Sequence, residues 1–235
     1  MTVAWVELQW SEENYKERRR KMREPAPDKN RRGFDIGGAV PEAADPRRGS
    51  EYPEEAALGL VELNTVAIGI LVADEMLKVA PVKLVEATPV CSGKFVVIVR
   101  GDVASVEASV ARGTSAGEEC VVDTLFLPNP HPGIFGAIAG TSEIEKIDAL
   151  GVIETFSVAS TIVAADAAGK AAKVKMIDIR LAKGLGGRAF VTFTGEISEV
   201  EAASEAGSSH PRKKGLLVRS IVIARPDESL FAKLE

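Results

Sequence analysis

The sequence predicts an α+β protein built from two tandem ferredoxin-like units. Three observations carry that expectation. The chain repeats itself, each repeat alternates β-rich and helical stretches in one order, and the apolar content is aliphatic. Of the 235 residues, 46% are hydrophobic and only 5% aromatic, so a core of Ala, Val, Ile and Leu is expected. The stretch ALGLVELNTVAIGILVADEMLKVAPVKL (57–84) matches ALGVIETFSVASTIVAADAAGKAAKVKM (149–176) at an offset of 92. Leu58 meets Leu150, Gly59 meets Gly151, Glu62 meets Glu154, Asp74 meets Asp166 and Lys78 meets Lys170. The offset then becomes 94, pairing Gly93 with Gly187, Gly101 with Gly195 and Gly113 with Gly207. Insertions collect in loops, so the second copy has a longer turn around Leu181 to Gly187. Such repetition is read before anything else, because it decides the architecture.

Each copy reads in the order β-α-β-β-α-β-α, a mixed sheet with helices on one side. LGLVEL and LGVIET are first strands. TVAIGILVADEMLKVA and SVASTIVAADAAGKAA have apolar residues at helical spacing, with Thr65 and Ser157 as expected N-caps. VKLVEATPV and FVVIVRG are strands flanking the turn that holds Cys91. DVASVEASVARG and EISEVEAASEAG open with an acid, which suits a helix N-terminus, and end at Gly113 and Gly207, which suit C-caps. CVVDTLFLP and LLVRSIVIARP are fourth strands. HPGIFGAIAG and DESLFAKLE follow as short helices. The domains expected are an N-terminal extension over 1–56, flexible by its composition, a first unit over 57–148 and a second over 149–235.

Composition excludes several classes. A net charge of −5 argues against a nucleic-acid partner, which needs a basic face. Two cysteines far apart do not make a disulfide framework. Residues 1–30 are charged and lack a signal-like apolar run, and no apolar run is long enough to span a membrane. Charge, Pro and Gly dominate 1–56. Two readings stand there: a disordered leader, or a segment anchored on a partner through Trp5, Val6, Leu8 and Trp10. No catalytic constellation is apparent. His131 and His210 are far apart, and there is no paired-carboxylate, G-x-S-x-G or dinucleotide motif. GLGGR lies between strands, whereas a phosphate-cradling loop opens a helix. It reads as a tight turn. Cys120 opens an apolar strand and is expected to be buried. His131 is expected to cap or pack, and SSHPRKKG (208–215) to be a solvated basic loop.

The words ALGLVEL, CSGKF, DVASVEASVARGTSAGE, NPHPGIFGAIAG, GVIETFSVA, AKGLGGRAF and GLLVRSIVIARP together resemble bacterial microcompartment (BMC) shell domains. Two such domains in one chain, in unpermuted strand order, resemble the tandem-domain shell proteins that form trimers. The resemblance spans residues 57–235. It implies a homotrimeric pseudohexamer that tiles with other shell proteins, hexamers and pentamers, into a shell around enzymes in the cytoplasm. It implies a structural role, not an enzyme, with no nucleic acid and no membrane as partners. Residues 1–56 would be free to meet cargo or shell neighbours.

The resemblance also assigns positions. It implies a central pore lined by the turn between the second and third strands, here Cys91, Ser92, Gly93 and Lys94 in the first copy and Gly184, Leu185, Gly186 and Gly187 in the second. In family members with cysteine at this turn, that cysteine is a metal ligand, and Cys91 matches it. The implied cofactor is a [4Fe-4S] cluster shared by three subunits at the threefold axis, carrying electrons across the shell. Thiolates are the usual cluster ligands, four in number, so three leave one iron for a non-protein ligand. Ser92 departs from the family pattern, which tends to have proline there. Tandem relatives with serine for the cysteine hold no cluster, so a second reading keeps Cys91 as a small pore-lining residue. The shell-edge contact is assigned to Lys78, Lys170 and Arg225, with Asn129 near the arginine position of the first copy. A competing expectation is a discrete ferredoxin-like oligomer that binds a small metabolite in its subunit clefts as a sensor.

Overall fold

The computed structural model describes residues 56–144 and 146–231. The expectations for Trp5 to Trp10 and the rest of the N-terminal extension lie outside them, as does the expectation of helix over 232–235. In the first copy the elements are β1 (Ala57–Leu63), α1 (Val66–Val79), β2 (Lys83–Val90), β3 (Lys94–Gly101), α2 (Val103–Gly117), β4 (Val121–Pro128) and α3 (Gly133–Ala139). The second copy repeats them as β5 (Ala149–Thr155), α4 (Val158–Ala171), β6 (Lys175–Arg180), β7 (Ala189–Gly195), α5 (Ile197–Lys213), β8 (Leu217–Ile223) and α6 (Glu228–Phe231). The predicted element order is therefore present twice.

Each copy has a four-stranded sheet, in the orders β2-β3-β1-β4 and β6-β7-β5-β8. Every pairing is antiparallel, which corrects the expected mixed sheet. The crossover through the first helix makes β1 and β2 run the same way, but β3 lies between them, so no parallel pair forms. In the first copy β1 is buried along its whole length. On its helix side, Val61 and Leu63 join Val72, Met76, Val106 and Val110 in one cluster. On its other side, Leu58 and Leu60 belong to a larger cluster that runs on into Ile153, Ile162, Met176 and Ile179 of the second copy. The copies thus share a core. Helix α3 packs chiefly on β6 of the other copy.

Three local expectations change. Helices α2 and α5 do not stop at Gly113 and Gly207 but continue to Gly117 and Lys213. Space, not capping, requires these glycines. A Cβ at Gly113 would lie 2.7 Å from Met76 Cγ, and one at Gly207 would lie 2.7 Å from the Ala164 carbonyl oxygen. Most of the expected basic loop 208–215 is the last turns of α5, which carries Pro211 inside it. Cys120 is half-buried and ends a 3₁₀ turn before β4, rather than being buried in the strand.

Candidate functional site

The two cysteine-region turns meet inside one chain. After β2, Cys91 to Gly93 form one 3₁₀ turn in which Ser92 takes φ 66°. Serine tolerates this left-handed position at a cost that glycine avoids. After β6, the longer turn carries Gly184, Gly186 and Gly187, all at positive φ, and closes with the Arg188 N–H donating to the Leu185 carbonyl at 3.2 Å. The Cys91 N–H donates to the Ala182 carbonyl at 3.1 Å. Lys183 Nζ reaches back to Glu86 Oε1 at 3.0 Å. The backbone of the second turn lies beside the Cys91 thiol. Gly186 foremost, with Gly187, Leu185 and Gly184, holds the thiol below its ordinary value, against a desolvation that raises it. Donors to a sulfur favour its thiolate form.

Both turns border open space. A Cβ built on Gly93, Gly184, Gly186 or Gly187 would meet nothing within 4 Å. Beside them run two matching ion pairs. Lys94 Nζ bonds Glu62 Oε1 at 2.9 Å, with the Glu62 side chain nearly buried. Arg188 Nη1 lies 3.4 Å from Glu154 Oε1, and its guanidinium also sits 5.6 Å from the Phe156 ring centre. The cationic ends of Lys94 and Arg188 are thus tied down by carboxylates at equivalent places.

A cluster fits this donor set only if chains share it. Among the described residues no group of three or more His, Cys, Asp or Glu could hold a metal ion. At these turns one chain offers a single thiol, Cys91, with its pKa lowered by the neighbouring backbone.

The other predicted positions fall elsewhere. Lys78 and Lys170 occupy the same place on α1 and α4, each paired with an aspartate one turn earlier, Asp74 and Asp166. Arg225 is exposed. Asn129 is exposed at φ 49°, and its N–H donates to the Ala56 carbonyl at 2.7 Å. Sequence reasoning missed the seam that joins the copies. There the buried Asp166 accepts the His131 backbone N–H at 2.8 Å and Lys170 Nζ at 2.8 Å. His131 Nδ1 accepts the Gly133 N–H at 3.2 Å. Asp123 Oδ2 accepts the Ser157 hydroxyl at 3.0 Å, while Ser157 caps α4. Thr65, the other expected cap, stands at the N-cap of α1 but makes no side-chain capping bond.

The seam covers one face of each copy; the matching face is exposed on the first copy and borders a cavity on the second. On α1 and β2, Ile70 and Leu84 are 59% and 45% exposed. Their counterparts in the second copy, Ile162 and Met176, are 0% and 3% exposed. The sheet face of the second copy that corresponds to Leu58, Leu60, Val96 and Ile98 instead borders a cavity of about 280 Å³. Leu150, Val152, Phe190 and Thr192 line it, closed on one side by Ile223 and Leu230.

The model for the family described as BMC domain matches residues 57–130 and again 149–226. The chain is 40% identical over 178 residues to the bacterial microcompartment shell protein PduT of Citrobacter freundii, covering 76% of this chain and 97% of that one. It is 28% identical to the carboxysome assembly protein CcmO of Synechococcus elongatus, over 85% of this chain and 74% of that one. A crystal structure of a microcompartment protein from Desulfitobacterium hafniense superposes with a TM-score of 0.73 at 46% identity. It covers 75% of this chain and 98% of that one.

Proposed function

This chain belongs to the BMC-domain family, and from that premise we propose that three copies close head to tail into a pseudohexameric tile with a central pore. It is a structural shell protein of a bacterial microcompartment, a compartment of the cytoplasm. One observation carries the ring. The face of the first copy that binds the second copy has a counterpart on the second copy that no other copy fills and that borders a cavity. The face of the second copy that is bound has its counterpart, bare, on the first. Repeating the internal step therefore seats the second copy of one chain on the first copy of the next. Such heterologous contacts generate rings when the rotation closes. The cavity along Leu150, Val152 and Phe190 is then part of a subunit seam, which argues against a metabolite site there.

In such a ring the turns at Cys91–Lys94 and Gly184–Gly187 alternate around the axis and line the pore. Each chain brings one Cys91 thiol, whose pKa the backbone of Gly184 to Gly187 lowers. We read Cys91 as the protein ligand of a [4Fe-4S] cluster shared by three subunits. When bound, the cluster supplies one-electron transfer between the two sides of the shell. The backbone of the second turn favours the thiolate form of Cys91, and hydrogen bonds to cluster sulfurs are among the levers that set potential. Lys78, Lys170 and Arg225 serve the contact between tiles and neighbouring shell hexamers, and Asn129 makes the corresponding edge of the first copy weaker.

An anaerobic native mass spectrum tests both parts. A trimer carrying the mass of one cluster, with the cluster but not the trimer lost in Cys91→Ser, is the expected result. A trimer without iron, before and after reconstitution, would leave Cys91 as pore lining. A monomer would remove the ring itself.

A further inference from the structure

The two seams of the proposed ring are not built from the same residues. Inside the chain, the His131 imidazole lies over α4 where position 169 is glycine. A Cβ there would be 2.6 Å from His131 Cγ, a distance real side chains do not reach. The equivalent positions on the matching faces differ in the opposite sense. Leu127 and Ile223 stand opposite Leu58 and Leu150 in the sheet registers. Counting on from them pairs Pro130 with Pro226 and His131 with Asp227. The offset between the first helices pairs Gly169 with Leu77, and Leu77 is 39% exposed. A large side chain over a glycine is thus replaced by a smaller one facing a leucine.

The backbone side of the seam needs no such change. Asp166 accepts the N–H of residue 131, not its side chain, so Asp74 can accept the N–H of Asp227 in the same way. A second exchange marks the same seam. Asp123 bonds Ser157 at the N-terminus of α4, whereas its counterpart Arg219, opposite Glu154 in the register, is exposed and makes no ion pair among the described residues.

Resting on the ring reading above, we propose that Asp227 and Leu77 form a size code for the chain-to-chain seam. The bare face of the first copy, with Leu77 in place of glycine, rejects a surface bearing histidine at the His131 position. It accepts the second copy of another chain, with Asp227. The code matches Leu77 to Asp227 between chains, as Gly169 is matched to His131 inside the chain.

Full-length protein tests this by native mass spectrometry over a dilution series. Asp227→His is expected to raise the concentration at which the trimer dissociates by roughly tenfold or more, the scale of an overpacked contact. Asp227→His with Leu77→Gly recovers most of the loss, and Asp227→Asn, similar in size, assembles as the parent does. A second measurement reads the seam inside the chain. Gly169→Leu lowers the melting temperature, and Gly169→Leu with His131→Asp recovers it. Parent-like assembly of Asp227→His, weakening by Asp227→Asn, or failure of either double variant to recover would overturn the code while leaving the ring in place. A parent protein that forms no trimer at any concentration would overturn the ring reading and the code with it.

Discussion

Ile70 and Ile162 hold the same position on α1 and α4, yet Ile70 is 59% exposed and Ile162 is completely buried. The difference is the presence of a neighbouring copy, and it separates folding from assembly. Ile162→Ala is expected to cost about 2–5 kcal/mol of stability, as a large-to-small change in a closed core does. Ile70→Ala, on a surface of the single chain, is expected to stay within about 0.5 kcal/mol. Ile70→Glu should dissociate the ring while the isolated chain melts as before. Denaturant titration and light scattering check the two effects separately.

Asp166 and Asp74 give a second contrast. Asp166 is buried and satisfies both the His131 N–H and Lys170. Its removal leaves a donor without its partner, and Asp166→Ala is expected to cost about 1–3 kcal/mol. Asp74 pairs only with Lys78 on an exposed helix surface, so Asp74→Ala is expected to cost the dissociated chain no more than about 0.5 kcal/mol. Urea unfolding of the two variants at low protein concentration makes the comparison.

The packing glycines predict a cost that helix propensity alone would not. Alanine is the better helix former, yet Gly113→Ala and Gly207→Ala each force a Cβ to within 2.7 Å of a neighbour. Met76 is flexible and yields, whereas the carbonyl of Ala164 belongs to a helix backbone. Gly207→Ala is therefore expected to be the more damaging, by about 1–3 kcal/mol, and Gly113→Ala the milder. Thermal melts of both variants decide the order.

His131 gives the seam a pH dependence. Burial lowers its pKa from the ordinary value of 6.5, the charge on Lys170 lowers it further, and Asp166 opposes both. The unfolded chain then binds the proton more readily, so this stability is present above the ordinary value and is lost as pH falls through the lowered one. Asp102 and Asp227 are also held below their ordinary value of 3.8, so their losses come at more acid pH. Between about pH 7.5 and pH 5, on either side of the ordinary histidine value, the parent should lose stability and His131→Gln should lose less. Equal slopes would remove His131 from the account.

Much of this was legible in the sequence. Offsets of 92 and 94 place strands, helices and the longer second turn correctly, because periodicity and turn residues act locally. The meeting of Cys91 with Gly184 to Gly187 was legible only as two equivalent turns. Their contact depends on how the copies dock, which no local pattern encodes. The Asp166–His131 and Asp123–Ser157 bonds escaped for the same reason. Gly113 and Gly207 read as helix ends because glycine serves both capping and close packing. The signal that could have found the seam was present: positions where the repeats disagree in size or charge, such as His131 against Asp227 and Gly169 against Leu77.

Proximity between chains tests the ring most directly. A Cβ on Gly133 would lie 3.3 Å from Met176 Cγ inside the chain, and the counterparts of these residues on the matching faces are Ser229 and Leu84. In protein with Cys91→Ser and Cys120→Ser, the pair Leu84→Cys and Ser229→Cys can be joined by a short bis-maleimide and run on a denaturing gel. The ring predicts a ladder of one, two and three chains that ends there. A ladder continuing past three would mean an open head-to-tail filament, and no ladder at all would contradict the seam on which the proposed function rests.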